Sequence, residues 1–401
     1  MRSGWLDRVR SKSYAHWFRC LCLLGLGLIV EHQLHENDAW RQARFRVYRL
    51  LNSLAPRAPI PANTVLVLIE DTEYWTGELA GRAPLKRSYL ARLLRKLNDA
   101  NPAVIAVDID LRSPLPEGEP IEHPDYAPER NEFVAALAEV AAQRPVVLSS
   151  TVRRNSDGTY SRERAVYDSP ERPAGVFHGY IELPFDTRLV PLSLTLAGGA
   201  QLDSFSQAIV RAFRPQIIER VEADNHSSFP YGSYIPEEEY KEFKLTAGKV
   251  LETSAQELKK RVANRIVLIG GEWHALAYGR GPRIDLHETP LGKTPGVFVH
   301  ANYVEALLER RVFPPASPSA IHLICVLLSV GVAVGLAGAG HVASRLGVII
   351  GVGSLFLAFN YFLLHNAGTY CDFLVPLILL VAHPLAEEVL HWRGLAQGTT
   401  G

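Results

Sequence analysis

The sequence predicts an α/β domain, three-layer-like, with a largely parallel sheet and flanking helices, set between apolar ends that supply four transmembrane α-helices, one N-terminal and three C-terminal. Two observations predict it. Solid β-type runs alternate with helical periodicity in the middle of the chain, which is the pattern of βαβ units. The longest apolar stretches are gathered at the two ends, where each approaches the ~20 residues that cross ~30 Å of hydrocarbon.

Charge and composition narrow the field. Lys+Arg number 42 and Asp+Glu number 42 in 401 residues. Such a neutral chain lacks the basic surface of a non-specific nucleic-acid binder. Apolar residues make up 47% and charged residues 21%, which excludes a mainly disordered chain.

The N-terminal end carries Arg2, Arg8, Arg10 and Lys12 before the apolar run Trp17 to Val30. Basic residues ahead of an apolar run mark a secretory signal or an uncleaved anchor. Glu31-His32-Gln33-Leu34 offers no small-x-small cleavage pattern, which favours the anchor. The tail is expected to cover 1–12 and the first transmembrane helix 13–30, with Arg19 snorkelling to the headgroups. Three C-terminal spans are expected at 319–340, 346–364 and 372–390, the last kinked by Pro376 or Pro384.

The positive-inside rule puts the basic tail in the cytoplasm, exports residues 31–316, and returns the tail 391–401 to the cytoplasm. Arg41, Arg44, Arg46 and Arg49 run against the rule but fall on an amphipathic helix over 34–55. Cys20, Cys22, Cys325 and Cys371 all lie in or beside the apolar ends, so the exported region uses no disulfide.

In the middle, Thr64–Ile69 is a strand apolar along its whole length, as in sheets covered on both faces. Leu90, Leu93, Leu94 and Leu97 then recur at helical spacing, and Ala103–Asp110 gives a second buried strand. The crossover between them should be right-handed. Phe133–Ala142 reads as a helix and Pro145–Val152 as a third strand. Residues 153–200 read as irregular or antiparallel, with a strand over Gly175–Leu183. Phe205, Ile209 and Phe213 mark another helix, and 221–242 a polar loop. Arg265–Ile269 is a further strand, followed by a glycine turn, and Val297–Arg310 a last helix.

Asp71, Asp108 and Asp110 end what read as two neighbouring strands. Ligands of open α/β sheets bind outside the carboxyl ends of the strands. Acids there hold a cation, support phosphoryl chemistry, or simply cap helices and pair with arginine. Gly270-Gly271 could bring amides near a phosphate, but the pattern opening directly into a helix is missing, so a tight structural turn fits as well. His300 on the last helix reads as a packing histidine or as a ligand donor. Neither Gly-x-Ser-x-Gly nor His-Glu-x-x-His occurs. Asn360 and His383 fall in membrane segments, where polar groups bond neighbouring helices.

The ordered pieces resemble the CHASE type-2 family of extracellular sensory domains of bacterial receptors, from about residue 30 to the C-terminus. They are Asp38, then Val65–Asp71, Arg82–Arg87 and Val104–Asp108, followed by Ile266–Gly271, Asp285, Thr289–Gly292 and Pro295–Asn302. Three membrane helices after the domain also fit that family. The strand-end acids Asp71, Asp108 and Asp110, the glycines Gly270 and Gly271, and His300, together with Asp285 and Asn302 from the matched segments, make up the candidate ligand site. The stretch from Gly271 to Asp285 is long and carries Trp273 and Tyr278, so a shared ligand pose does not follow. Family members usually continue into a cytoplasmic output module. Too few residues follow the last expected helix here to fold one.

The expectation is therefore a multi-pass sensory or signalling subunit of the bacterial inner membrane, with its large domain in the periplasm or outside the cell. It is not an enzyme and needs no metal or cofactor. Its expected partners are a small ligand or envelope component, a separate cytoplasmic-output or effector protein, and the lipid bilayer. A homodimer is possible; nucleic acid is not a partner. An envelope scaffold or transport-associated subunit is the alternative, and a metal-dependent exported enzyme the third reading.

Overall fold

The computed structural model describes residues 14–34, 37–54, 60–111, 126–163, 173–184, 186–223, 228–232, 234–314 and 342–368, with isolated residues between 317 and 338. The chain forms two compact units: Pro56–Pro314, and Met1–Ala55 together with Pro315–Gly401. The ten helices named here are α1 (Tyr14–Leu34), α2 (Asp38–Ser53), α3 (Arg87–Asp99), α4 (Tyr126–Ala141), α5 (Phe205–Phe213), α6 (Pro215–Ala223), α7 (Ala247–Glu252), α8 (Ala255–Val262), α9 (Gly296–Leu308) and α10 (Val342–Ala367). The main sheet holds β1 (Thr64–Ile69), β2 (Val104–Asp108), β3 (Val146–Ser150), β4 (Val176–Tyr180), β5 (Lys244–Thr246) and β6 (Ile266–Gly271).

The six strands lie in the order β5-β1-β6-β2-β3-β4. Every pairing is parallel. β1 is buried along its whole length, as its unbroken apolar sequence requires. One face of the sheet shows Val65, Val67, Ile69, Ile105, Val107, Val267 and Ile269 to a core filled by Leu90, Leu94 and Leu97 of α3 and Phe133 and Leu137 of α4. α7 and α8 pack against α3 on that side. α5 and α9 cover the opposite face, where Leu66, Leu68, Ala106 and Leu268 are fully buried. Side-chain caps start the short helices. Ser204 accepts from the Gln207 amide before α5, Thr246 from Lys249 before α7, and Ser254 from Glu257 before α8.

The structure corrects the expected sheet in three places. β1 and β2 are not neighbours: β6 lies between them, with Leu66 opposite Leu268 and Leu268 opposite Ala106. A strand apolar on both faces takes the centre of a sheet wherever it falls in the chain. Gly270 and Gly271 belong to β6 itself instead of forming a turn. The region 153–200 holds the expected strand and antiparallel pieces. Val176–Tyr180 joins the parallel sheet beside β3, while Val152–Arg154 with Tyr160–Arg162 and Ser193–Thr195 with Gln201–Asp203 make antiparallel ribbons. The expected polar loop contains the end of α6, a strand Ser228–Pro230 paired with Leu189–Pro191, and a 3-10 helix over Glu237–Phe243.

In the other unit, Asn37 caps α2 by accepting from the Trp40 amide (3.1 Å). Phe45, Tyr48 and Leu51 form the buried stripe of α2. Among the described residues one helix, Ser344–Ala367, is long and apolar enough to cross a membrane. Its 24 residues span roughly 36 Å at 1.5 Å per residue. α1 forms where the first span was expected. The expected span at 319–340 is described only at isolated residues, and that at 372–390 lies outside the described residues.

Candidate functional site

The carboxyl ends of β1, β6 and β2 open on one edge of the sheet, and the chain places two acid clusters there. The first is built on Asp71, just after β1. Its Oδ1 accepts the main-chain N–H of His274 (2.8 Å), and its Oδ2 accepts Nδ1–H of the same imidazole (2.7 Å). Trp75 Nε1–H donates to the His274 carbonyl (3.0 Å). Tyr74 stacks on Trp273, ring centroids 4.2 Å apart. The Trp273 ring lies where a side chain at Gly271 would project, 2.4 Å from an ideal Cβ. Gly271 is therefore needed for aromatic packing, and the aromatic packing in turn holds His274 against Asp71.

The second cluster lies between β2 and the start of α9. Asp108 ends β2 opposite Gly270 of β6. Gly270 carries no side chain because α9 packs too close: a Cβ would sit 2.5 Å from Val297 Cγ2. Asp285 holds a left-handed backbone (φ 50°), and its carbonyl accepts the Gly296 N–H (2.9 Å). Its Oδ1 accepts His287 Nε2–H (2.8 Å). Its Oδ2 fills the space over Gly296, 2.1 Å from where a Cβ would stand. The carboxylate thus rests against the first turn of α9, where helix amides carry partial positive charge. Pro295 offers that turn no side-chain cap.

Asp108 lies deep in the protein, and desolvation, together with the charge of Asp285, pushes its carboxyl well above the usual carboxylate range. Part of the residue still meets solvent. Asp285 is exposed. His300, on the second turn of α9, is 4% exposed. Burial drives its pKa down to about 4, against the opposing pull of Asp285. Its ring sits edge-on to Phe205, and Ser206 Oγ–H donates to its carbonyl (3.3 Å).

The sequence-derived residues therefore separate. Asp108, Asp285 and His300 share one electrostatic cluster. Asp71 belongs to the other, with His274. Asp110 is exposed, and its carbonyl accepts Arg87 Nη2–H (3.0 Å). Asn302 is an internal brace: its Oδ1 accepts Tyr231 Oη–H (2.6 Å) and the Ile235 N–H (2.6 Å), and its Nδ2 donates to Ile235 and Phe298 carbonyls. His274 and His287 are absent from the sequence-derived set. For His287 the signal was local, an acid two positions before it. For His274 there was none, since Asp71 lies 203 residues away.

The sequence model of the CHASE2 domain matches residues 20–336. The chain belongs to the CHASE2 domain family. CHASE2 is a family of extracellular sensory domains, and the match takes in all of the α/β unit, together with most of α1 and all of α2. No curated protein and no solved structure matches this CHASE2 chain. Among its described residues, no group of three or more His, Cys, Asp or Glu side chains is placed to hold a metal ion.

Proposed function

We propose that this chain is a sensory subunit of the bacterial inner membrane. Its domain over 31–316 lies outside the cytoplasm and binds a small ligand or an envelope component. Its membrane helices, at 13–30, 319–340, 346–364 and 372–390, pass the resulting state to a separate effector protein. The observation that carries this reading is the CHASE2 match, which runs from the first apolar helix through the α/β unit into the next apolar segment. The outward-facing apolar side chains of α1 (Phe18, Leu21, Ile29) and α10 (Leu346, Ile350, Leu355, Phe362) support a lipid setting.

The geometry suggests how the domain would report a ligand. α9 starts beside Asp285 at Gly296 and ends beside the segment by which the chain enters β1. A ligand shifts only those states that it binds with different affinity. A change at Asp285 would act on the first turn of this helix, and the chain leaves the domain shortly after its last.

The test is isolation of the full chain from its native membrane after mild cross-linking. Recovery of a chain with a cytoplasmic effector module is the expected result. Recovery of envelope-assembly proteins alone would replace this reading with the scaffold one. Reporter fusions at Ala200 and after Gly401 should fall on opposite sides of the membrane.

A further inference from the structure

The two faces of α2 need different surroundings. Phe45, Tyr48 and Leu51 turn inward, and α2 packs against α10, which contains the span long and apolar enough to cross a membrane. The opposite face is exposed and mixes two kinds of side chain. Arg46 and Arg49 stand on it with Leu50, which is 51% exposed, and Leu54 follows at the helix end, 59% exposed. The helix carries Arg41, Arg44, Arg46 and Arg49 against a single acid, Asp38. Among the described residues no carboxylate pairs with Arg46. Water suits the arginines and not the leucines; hydrocarbon suits the leucines and not the arginines. The boundary between the two suits both.

The connections of α2 keep it at such a boundary. It follows the apolar helix α1 after only three residues, and the Asn37 N–H donates to the Leu34 carbonyl across that turn (2.9 Å). The buried side chains of α10, Phe356, Asn360 and Leu364, all fall in its second half. In the four-crossing order proposed above, α10 runs outward, so this second half lies in the outer part of the bilayer. That is the side on which α1 delivers α2.

We propose that α2 lies in the outer interface of the bilayer and docks there on anionic lipid headgroups. Arg46 and Arg49 meet phosphates, while Leu50 and Leu54 enter the top of the acyl layer. A guanidinium stays charged and offers a planar fork of N–H donors, which matches phosphate oxygens. The proposal rests on the membrane topology of the reading above and adds the kind of lipid surface that the chain holds.

The test uses the full chain in lipid nanodiscs, one set of phosphatidylcholine alone and one with phosphatidylglycerol mixed in. A nitroxide is attached at Leu50→Cys or, as a control, at Leu276→Cys on the α/β unit, with the native cysteines changed to serine. Oxygen, which concentrates in lipid, should relax the Leu50 label more than a water-soluble nickel chelate does. The Leu276 label should show the reverse. Unlabelled wild type should melt several degrees higher in the phosphatidylglycerol discs. Arg46→Gln combined with Arg49→Gln should remove most of that gain, and added salt should reduce it. Inorganic phosphate added to phosphatidylcholine discs should not reproduce it.

A Leu50 label as open to the chelate as the Leu276 label would overturn the proposal. So would equal melts in the two lipids, a gain that survives both substitutions, or an equal gain from inorganic phosphate. The reporter fusions test the topology separately. Fusions on opposite sides of the membrane with a water-exposed Leu50 would sink this proposal alone, whereas fusions on one side would sink the topology beneath it.

Discussion

Glu305 and Thr64 lie 241 residues apart, yet one carboxylate oxygen of Glu305 accepts both the main-chain N–H and the hydroxyl of Thr64, each at 2.7 Å. Asn63 adds its own N–H to the same oxygen (2.8 Å) and its side-chain amide to the other (2.9 Å). Glu305 is fully buried. The last turn of α9 is thereby tied to the first residue of β1, and the points where the chain enters and leaves the domain lie on the same edge of the sheet.

Loss of that tie should be costly. Glu305→Ala leaves two main-chain donors and two side-chain donors without an acceptor and should destabilise the domain by about 3–5 kcal/mol. Glu305→Gln retains one acceptor oxygen and should cost less. Urea unfolding of the two variants beside wild type measures the difference, and equal midpoints for all three would refute it.

Gly296 predicts a steric effect. A methyl group there would meet Asp285 Oδ2 at 2.1 Å, so the carboxylate must leave the start of α9. Gly296→Ala should lose about 1–3 kcal/mol and shift the ring resonances of His287, whose partner moves. An unshifted His287 spectrum would show that Asp285 does not occupy that place.

His300 gives the domain an acid limit. Its pKa in the folded chain, about 4, lies below the ordinary 6.5. Between those values the unfolded chain binds more protons, so stability falls as pH drops from 6.5 toward 4. The full loss is about 3 kcal/mol. His300→Asn should flatten the melting temperature over that window.

Asp108 contributes the opposite slope. Its folded pKa is raised well above the ordinary 3.8 of an aspartate. The folded state therefore holds the proton longer, and stability falls as pH rises above that value. Asp108→Asn removes the penalty and should raise the melting temperature at neutral pH, with little change near pH 3. A variant less stable than wild type at neutral pH would mean that the carboxylate has a partner after all.

Much of the sheet was legible because β1, β2 and β6 are unbroken apolar runs, and such runs have few other places to go. The helix α3 was legible from its leucine spacing. β5 was missed since Lys244-Leu245-Thr246 is a short, half-buried edge strand without a pattern of its own. The six residues of α7 and eight of α8 were too short for periodicity to register. The placing of β6 between β1 and β2 was hidden because strand order is a long-range property, set by which apolar surfaces meet. The site was legible in its acids at the strand ends. It was not legible in their grouping: the packing of α9 brings the charge of Asp285 to bear on Asp108, and Asn302 turned inward to brace the backbone at Ile235. Gly270, Gly271 and Gly296 signalled themselves as glycines, but the reason for each is a neighbour brought in by the tertiary fold.

The central position of β6 also sets the order in which this domain can be made. β1 and β2 are synthesised early, but the strand that joins them, and the glutamate that ties down the start of β1, come near the end. Until then the nascent chain carries two apolar strands with unpaired inner edges, the kind of surface that invites pairing with other chains. Closure depends on contacts of long sequence separation, which form slowly. Chains truncated before Ile266 should therefore aggregate instead of folding in part, and a cell that makes this protein must shield its first half until the second arrives.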